Sequence, residues 1–140
     1  MKLHLPYYKR VLSFLIAMSV LLGGCSMLSE EKIKLRDLEF TVLGEEKIPE
    51  QLKAIIEEKK AGPFQITYTD NENLYICVGY GEQGSGGYSI AVDELYLTDT
   101  NIIVSTTLLG PEAGEKGNGT PSWPYLVIKT EYLEQNVEFE

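Results

Sequence analysis

Residues 88–109 read YSIAVDELYLTDTNIIVSTTLL, and this stretch decides the fold class that the sequence predicts. Two strand-like runs, at residues 88–97 and 102–109, flank the turn cluster TDTN at residues 98–101. Two such runs around a short turn are typical of the antiparallel strands of a β-hairpin. A second hairpin is predicted by the same pattern, with strands at residues 64–69 and 74–80 around the turn cluster DNEN.

The first strand of the 88–109 hairpin contains a break in its alternation. Ile90 and Val92 share one face, whereas Leu95 and Leu97 lie at odd positions. A strict period of two would place these pairs on opposite faces of the sheet. One extra residue near Asp93-Glu94, a β-bulge, reconciles them. The alternative is a strand that is buried on both faces at different points.

One segment, at residues 49–60, has helical spacing. Its start suits Pro49 in the first turn, and its end suits Gly62 and Pro63. The apolar residues that share one helical face are Ile48, Leu52, Ile55 and Ile56.

Two further strands are predicted at residues 38–43 and 125–130, the second of them inside the sheet. The tail at residues 131–140 either adds an edge strand or frays. We therefore predict an α+β fold, a mostly antiparallel β-sheet of five to seven strands with one main helix.

The first 24 residues have the features of an export signal. A basic start precedes an apolar run at residues 11–22, which would be roughly 18 Å long as a helix, shorter than the roughly 30 Å core of a bilayer. The run ends in LGGC, which resembles the lipobox of bacterial lipoproteins. That resemblance implies cleavage before Cys25, a diacylglyceryl group on its sulfur and an acyl chain such as palmitate on its amine. The alternative is an ordinary secretory signal that contains a cysteine.

This interpretation divides the chain into a signal peptide at residues 1–24, a lipidated cysteine with a short tether at residues 25–36, and one domain at residues 37–140. The predicted location is the bacterial cell membrane or outer membrane, lipid-anchored and facing outward. From Cys25 onward the chain has nine basic and 21 acidic residues, a net charge of −12. No Lys or Arg occurs at residues 61–115, so nucleic acid is excluded as a partner.

The residue types required by common catalytic and metal sites are missing from the predicted domain. Its sequence lacks histidine, since His4 lies in the signal segment. Cys77, in a strand-like run, is predicted to be a small buried hydrophobe; a disulfide to another chain or a reactive thiol is the alternative. We predict no catalytic residues, no metal and no cofactor, and hence no enzyme.

The sequence also contains weaker catalytic and metal patterns, and each of them is incomplete. A serine–lysine pair lacks a local pattern, and the adjacent acids Asp93-Glu94 point to opposite faces of a strand unless the bulge redirects one. GSGGYS lacks the lysine and the following helix of a phosphate loop. DNEN begins like a calcium loop but lacks its glycine at position six, so a hairpin turn is predicted.

Five glycines between residues 79 and 87 precede the 88–109 hairpin. Gly84, Gly86 and Gly87 suit a sharp turn before a strand, because glycine adopts positive φ readily. The functional alternative is a loop that presents Tyr80 and Tyr88 beside accessible backbone, to grip an extended peptide.

Four features follow one another along the chain: the motif GGYSI at residues 86–90, a second strand, the loop after Gly110-Pro111, and Pro124-Tyr125 followed by an apolar strand. Together they resemble the C-terminal domain of the protease complex subunit PrcB. The resemblance covers residues 64–129. It implies a small exported domain that associates with and supports a surface protease as an accessory subunit.

We therefore expect a lipid-anchored, non-enzymatic binding domain of the cell envelope that assists or stabilises a partner protein, such as a protease. An envelope module that senses a small molecule or a glycan is the alternative, favoured by an open cavity lined with tyrosines. The candidate binding residues, chosen from the glycine-rich loop and nearby aromatics, are Tyr80, Gly86, Gly87, Tyr88, Ser89, Trp123 and Tyr125.

Overall fold

The computed structural model describes residues 32–112 and 119–140. The predicted signal segment, Cys25 and most of the predicted tether lie outside this range. The described strands, each given with its bounds, are β1 (Lys34–Asp37), β2 (Phe40–Val42), β3 (Pro63–Thr69), β4 (Asn73–Tyr80), β5 (Ser89–Thr98), β6 (Asn101–Leu109), β7 (Tyr125–Glu131) and β8 (Asn136–Phe139). Helix α1 (Glu50–Lys59) follows a short 3-10 turn at Glu45–Lys47.

The strands form two four-stranded sheets rather than the single sheet that the sequence predicted. Sheet I has the order β1-β5-β6-β8, and sheet II has the order β2-β7-β4-β3. All neighbours are antiparallel except β6 and β8, which are parallel. The α+β class and the mostly antiparallel pairing are confirmed, and β7 lies inside its sheet as expected.

The two sheets enclose the main hydrophobic core. The core residues come from both sheets and from the link between β1 and β2: Leu38, Leu74, Ile76, Leu95, Leu97, Ile102, Val104 and Ile128. Burial of such side chains is the dominant favourable term in folding, so this layer holds the sheets together.

Helix α1 covers the other face of sheet II. Ile48, Leu52 and Ile56 are buried there against Tyr75 and Val127. Three of the four residues of the predicted helical face are therefore confirmed, whereas Ile55 is half-buried and lies outside this cluster. The chain leaves the helix where Gly62 donates its N–H to the carbonyl of Lys59, as the Gly-Pro signal indicates.

The predicted β-bulge is present in β5. Val92 pairs with Thr106 and Glu94 pairs with Ser105, so Asp93 is the extra residue between them. Val92 and Leu95 consequently face the same inter-sheet core. The alternative, a strand buried at different points on its two faces, is not needed to explain the pattern.

The predicted number of strands is wrong, because the described residues form eight. The additional strand is β1, which lies in the segment predicted as a tether. Its sequence, KLRD, is charged and does not alternate, but pairing with β5 brings it into sheet I. Within residues 32–112 and 119–140, no helix has the length and apolar composition needed to cross a bilayer.

Candidate functional site

The glycine-rich loop, residues 81–88, starts and ends at glycines with positive φ. Gly81 has φ 72° and lies against Pro63, and Gly87 has φ 88° and lies against Pro111. Gly84 and Gly86 do not have positive φ. Because L residues with a side chain rarely adopt such angles, the two turns of the loop depend on Gly81 and Gly87.

Hydrogen bonds fix the glycine-rich loop to the segment before β7. Gln83 and Ser122 exchange two backbone hydrogen bonds, of 2.7 and 3.0 Å, and form an isolated bridge. The Ser122 hydroxyl also donates to the carbonyl of Ser85 over 2.7 Å. The N–H of Tyr80 donates to the carbonyl of Pro124. The loop is therefore a fixed part of the fold, with three hydrogen bonds to one neighbouring segment and a fourth to that segment from Tyr80 at the end of β4.

Tyr80 spans the gap between the two sheets. It ends β4 in sheet II, and its hydroxyl lies 2.7 Å from the Thr106 hydroxyl in β6 of sheet I. The side chain is half-buried. Its position makes Tyr80 a connection between the sheets, with its hydroxyl already engaged.

Tyr125 lies on the opposite face of sheet II from Tyr80. Its ring packs against the cluster beneath helix α1, which also contains Cys77 and Val127. Burial, with a smaller contribution from Glu45, raises the pKa of the Tyr125 hydroxyl. Tyr125 and Tyr80 therefore do not belong to one binding surface.

The remaining candidate residues lie nearer the surface. Trp123 is 42% exposed, and Gly87 and Ser89 are exposed. Gly86 is half-buried, and so is Tyr88, whose ring lies against Gly110. The structure thus brings residues 86–89 next to residues 110–111, while Trp123 follows the Gln83–Ser122 bridge.

Three polar residues that sequence reasoning did not select organise this region. Gln83 and Ser122 form the bridge described above, and the Thr106 hydroxyl is hydrogen-bonded to the Tyr80 hydroxyl. Gln83 also donates through Nε2 to the carbonyl of Tyr80, over 3.2 Å. These pairs are up to 39 positions apart in sequence and follow no motif, so no local signal identifies them.

In the acidic turn at residues 70–73, the carboxylate of Asp70 accepts hydrogen bonds from the turn itself. Asp70 Oδ1 accepts the backbone N–H groups of Glu72 and Asn73, over 2.9 and 2.7 Å. These backbone hydrogen bonds lower the pKa of Asp70, and the Tyr75 hydroxyl lowers it further. The arrangement is that of a hairpin turn stabilised by its own aspartate, as predicted. Within the described parts of the chain, no cluster of three or more His, Cys, Asp or Glu residues is positioned to hold a metal.

The Asp93-Glu94 pair lies at the bulge, where both residues are exposed. Asp93 accepts a hydrogen bond from the Thr107 hydroxyl on the neighbouring strand. The bulge thus directs Asp93 onto β6 rather than toward a cleft shared with Glu94.

Cys77 is a buried, unpaired thiol at the centre of β4. It is 1% exposed and packs in the cluster beneath helix α1. Burial raises the pKa of this thiol to about 12. Because the thiolate is the reactive form, Cys77 is a small hydrophobe in the folded protein, as predicted.

Two cavities in the described part of the chain do not collect the candidate aromatic residues. One, of about 970 Å³, is lined mainly by charged and polar groups, among them Arg36, Glu72 and Glu131. The other, of about 410 Å³, lies at the edge of sheet II and is lined by Tyr80 but not by Tyr88, Trp123 or Tyr125. The pattern that would favour a small-molecule or glycan sensor is therefore not found in these cavities.

The 410 Å³ cavity, called the edge cleft below, is formed where a glycine admits an aromatic ring. Phe64 of β3 pairs with Gly79 of β4, and the Phe64 ring lies across Gly79 at a distance that leaves no room for a Cβ atom. Gln65, Val78 and Thr106 also line the edge cleft.

Comparison with known proteins gives one match. Residues 74–131 match the family described as PrcB C-terminal. No curated protein and no solved structure matches the chain significantly. The matched segment runs from β4 to the end of β7 and contains the glycine-rich loop, the bulge and the Gln83–Ser122 bridge. The segment from β4 through β7 therefore matches the PrcB C-terminal family, and the family resemblance expected from the GGYSI motif and the Pro-Tyr ending is confirmed.

Proposed function

We propose that this protein is a lipid-anchored, non-enzymatic accessory domain of the bacterial cell envelope, which assists or stabilises a partner protein, a surface protease. The observation that carries the proposal is the match of residues 74–131 to the PrcB C-terminal family. The family association supports a role in a protease complex. The partner's identity is left to the experiment below.

The arrangement of the candidate site supports binding rather than turnover. The glycine-rich loop is held by backbone hydrogen bonds to residues 122–124, and the Tyr80 hydroxyl is bonded to Thr106. Cys77 is buried with a raised pKa, and the chain's histidine is His4, in the predicted signal segment. A fixed surface of this kind suits a domain that binds a partner by shape.

The anchor is supported by the sequence LGGC at residues 22–25. Acyl chains on Cys25 would hold the domain at the membrane, since each buried methylene contributes about 0.8 kcal/mol and two or three chains together give stable anchoring. A chain attached in this way would face outward, where surface proteases act.

A crosslinking pull-down from intact cells tests the proposal. The full chain, tagged at its C-terminus and expressed in a strain lacking the native gene, is crosslinked and purified under denaturing conditions. We expect a protease among the crosslinked proteins, and we expect its steady-state level to fall in the deletion strain and to recover with the full chain.

Two results would contradict the proposal. One is a deletion strain in which the level and activity of every surface protease are unchanged. The other is turnover of a substrate by the purified chain at a rate that is lost when Asp93→Asn and Glu94→Gln are introduced together.

A further inference from the structure

The long edge of sheet II lacks the features by which proteins protect sheet edges. Exposed edge strands present unpaired N–H and C=O groups, and natural proteins protect them by shortness, charge or bulges. β3 has seven residues, PFQITYT, none of them charged, and it pairs with β4 in continuous register. Its proline is at the first position, where it does not interrupt the edge.

The other three edge strands carry such protection. β1 is charged and has a register shift between Lys34 and Arg36. β2 has three residues. β8 has four, including Glu138, whose carboxylate accepts a hydrogen bond from Asn101. Among the strands at residues 32–112 and 119–140, β3 therefore stands out as a long, uncharged edge.

The direction of the free backbone groups follows from the hairpin register. Asp70 donates its N–H to the carbonyl of Asn73, so this pair is hydrogen-bonded. Hydrogen-bonded and non-hydrogen-bonded pairs alternate along an antiparallel ladder. The N–H and C=O groups of Gln65, Thr67 and Thr69 therefore point away from β4, and all three residues are exposed.

The surfaces on the two sides of this edge differ. On the helix side, Phe64, Ile66 and Tyr68 are half-buried and form an apolar ledge beside the Tyr75 ring. On the other side, Gln65 and Thr106 both line the edge cleft. A strand added to β3 would place alternate side chains on the ledge and over Gln65, Thr67 and the cleft.

The charge of the chain favours another protein, rather than a second copy of this chain, as the partner that binds β3. The whole chain has a net charge of −9, so two copies repel each other. β3 runs into the acidic turn of Asp70 and Glu72, and residues 61–112 contain no Lys or Arg. A segment with an uncharged centre and basic flanks is complementary to this edge.

We infer that β3 binds an extended segment of a partner protein by β-strand addition, and that this segment alternates apolar with small polar residues between Lys or Arg flanks. The inference rests on the proposed function, since it assigns the surface by which the accessory domain would hold its partner. Main-chain hydrogen bonds to Gln65, Thr67 and Thr69 provide the affinity, and the ledge and the edge cleft provide the selectivity.

A defined peptide tests the inference with the purified full chain. The probe is the peptide Lys-Val-Thr-Val-Thr-Val-Thr-Lys with a fluorophore on its N-terminus, titrated by fluorescence anisotropy, with amide hydrogen exchange measured in parallel. We expect saturable binding that protects the amides of Gln65, Thr67 and Thr69. A peptide with Glu in place of both Lys residues should lose affinity by about tenfold or more, because its acidic flanks are repelled by the acidic turn.

Matched variants distinguish the contribution of the Thr67 backbone N–H to binding from that of the Thr67 side chain. Thr67→Pro removes an N–H that points outward and leaves the bonds to β4 intact, so we expect binding to weaken about tenfold or more. Thr67→Val keeps the N–H and should bind as the wild type does. Val42→Pro, on the edge of β2, should also bind normally.

If Thr67→Pro fails to fold, chemically modified peptides provide an independent test. N-methylation of the alternate amides that face β3 should abolish binding, whereas methylation of the other alternate set should not. Equal binding by both methylated peptides, or equal binding by a folded Thr67→Pro chain, would overturn the inference. So would a peptide-free dimer in sedimentation that already protects the β3 amides.

The cell experiment distinguishes this inference from the proposed function. If wild-type chain and folded Thr67→Pro chain crosslink to the same protease equally, the proposed function stands and the β3 site is wrong. If the wild-type chain crosslinks to no protease and no protease depends on it, the proposed function fails whatever the peptide result.

Discussion

The hydroxyl oxygen of Tyr80 and the hydroxyl oxygen of Thr106 lie 2.7 Å apart, and this hydrogen bond joins sheet II to sheet I. The core between the sheets is apolar, so this bond, like the exposed ion pair between Arg36 of β1 and Glu131 of β7, adds a directional link to a non-directional core. Tyr80 is a predicted binding residue, and the structure places it at the margin of the edge cleft with its hydroxyl bonded to Thr106.

Removing this link should lower stability modestly. Tyr80→Phe loses the hydroxyl and leaves Thr106 without that partner, so we expect the free energy of unfolding to fall by about 1 kcal/mol in urea titrations. Tyr132→Phe is the matched control, since Tyr132 is 48% exposed, and its effect should stay within about 0.5 kcal/mol. Equal midpoints for the two variants would show that the bond contributes nothing.

Gly79 should be intolerant of any side chain. A Cβ atom there would lie 2.1 Å from Cε1 of Phe64, so the Phe64 ring must move. We expect Gly79→Ala to destabilise the domain by about 1–3 kcal/mol in thermal melts. Gly84→Ala is the control, because nothing lies within 4 Å of its Cβ position. In a Phe64→Ala background the effect of Gly79→Ala should shrink, since the two residues are in contact.

Gly87 should be restricted by its backbone rather than by space. Its φ is 88°, and its nearest neighbour, Pro111, is at an ordinary 3.4 Å. Gly87→Val should therefore lower the free energy of unfolding by about 1–2 kcal/mol, and Gly87→Asn by less, because Asn tolerates positive φ better. Gly84→Val should have little effect. A melting temperature unchanged by Gly87→Val would contradict this account of the turn.

Cys77 should be unreactive in the folded protein. In a Cys25→Ser chain, which keeps Cys77 as its single thiol, a thiol reagent at pH 8 should label nothing before denaturation and one equivalent after it. Labelling of the native chain at the rate of a free thiol would contradict the buried position.

The raised pKa of Cys77 also predicts how stability depends on pH. The folded thiol holds its proton to about pH 12, whereas the unfolded thiol loses it near pH 9. The native state then binds more protons in this window, so the free energy of unfolding falls as the pH rises from 9 toward 12. Cys77→Ala should show a shallower fall in urea titrations across that range, and equal slopes would contradict the shift. The raised pKa values of Tyr75 and Tyr125 act in the same direction in both proteins.

Cys25 should determine membrane attachment. Cys25→Ser removes the sulfur to which the predicted diacylglyceryl group is attached, so the chain should move from the membrane fraction to the soluble fraction after cell fractionation. Cys77→Ala is the control and should remain with membranes. Continued membrane retention of Cys25→Ser would remove the lipoprotein prediction.

Periodicity explains why much of the fold was predictable. Ile48, Leu52 and Ile56 identified helix α1, and the shift from Val92 to Leu95 identified the bulge, because each signal is local. The division into two sheets was not predictable in this way. It depends on pairings such as Phe40 with Thr130, which join residues 90 positions apart and leave no periodic trace.

The candidate site was predicted less well than the fold for a related reason. The positive φ of Gly87 followed from turn chemistry, and the exposure of Trp123 suits an interface. Tyr80 and Tyr125, by contrast, were separated by the alternation of β4 and β7, which places them on opposite faces of sheet II. Residue type alone does not indicate which face of a sheet a side chain occupies, so the aromatic content of the sequence did not show that these two tyrosines lie apart.

The passage of the chain from β1 in sheet I to β2 in sheet II has a mechanical consequence. Between them lies Leu38, which is 3% exposed in the inter-sheet core. A pulling force applied to the chain ahead of β1 would first unzip four residues from β5 and would then have to extract Leu38 before any load reached β2. A domain held at its N-terminal side thus has a buried residue, one position after β1 and two before β2, that resists unfolding under tension.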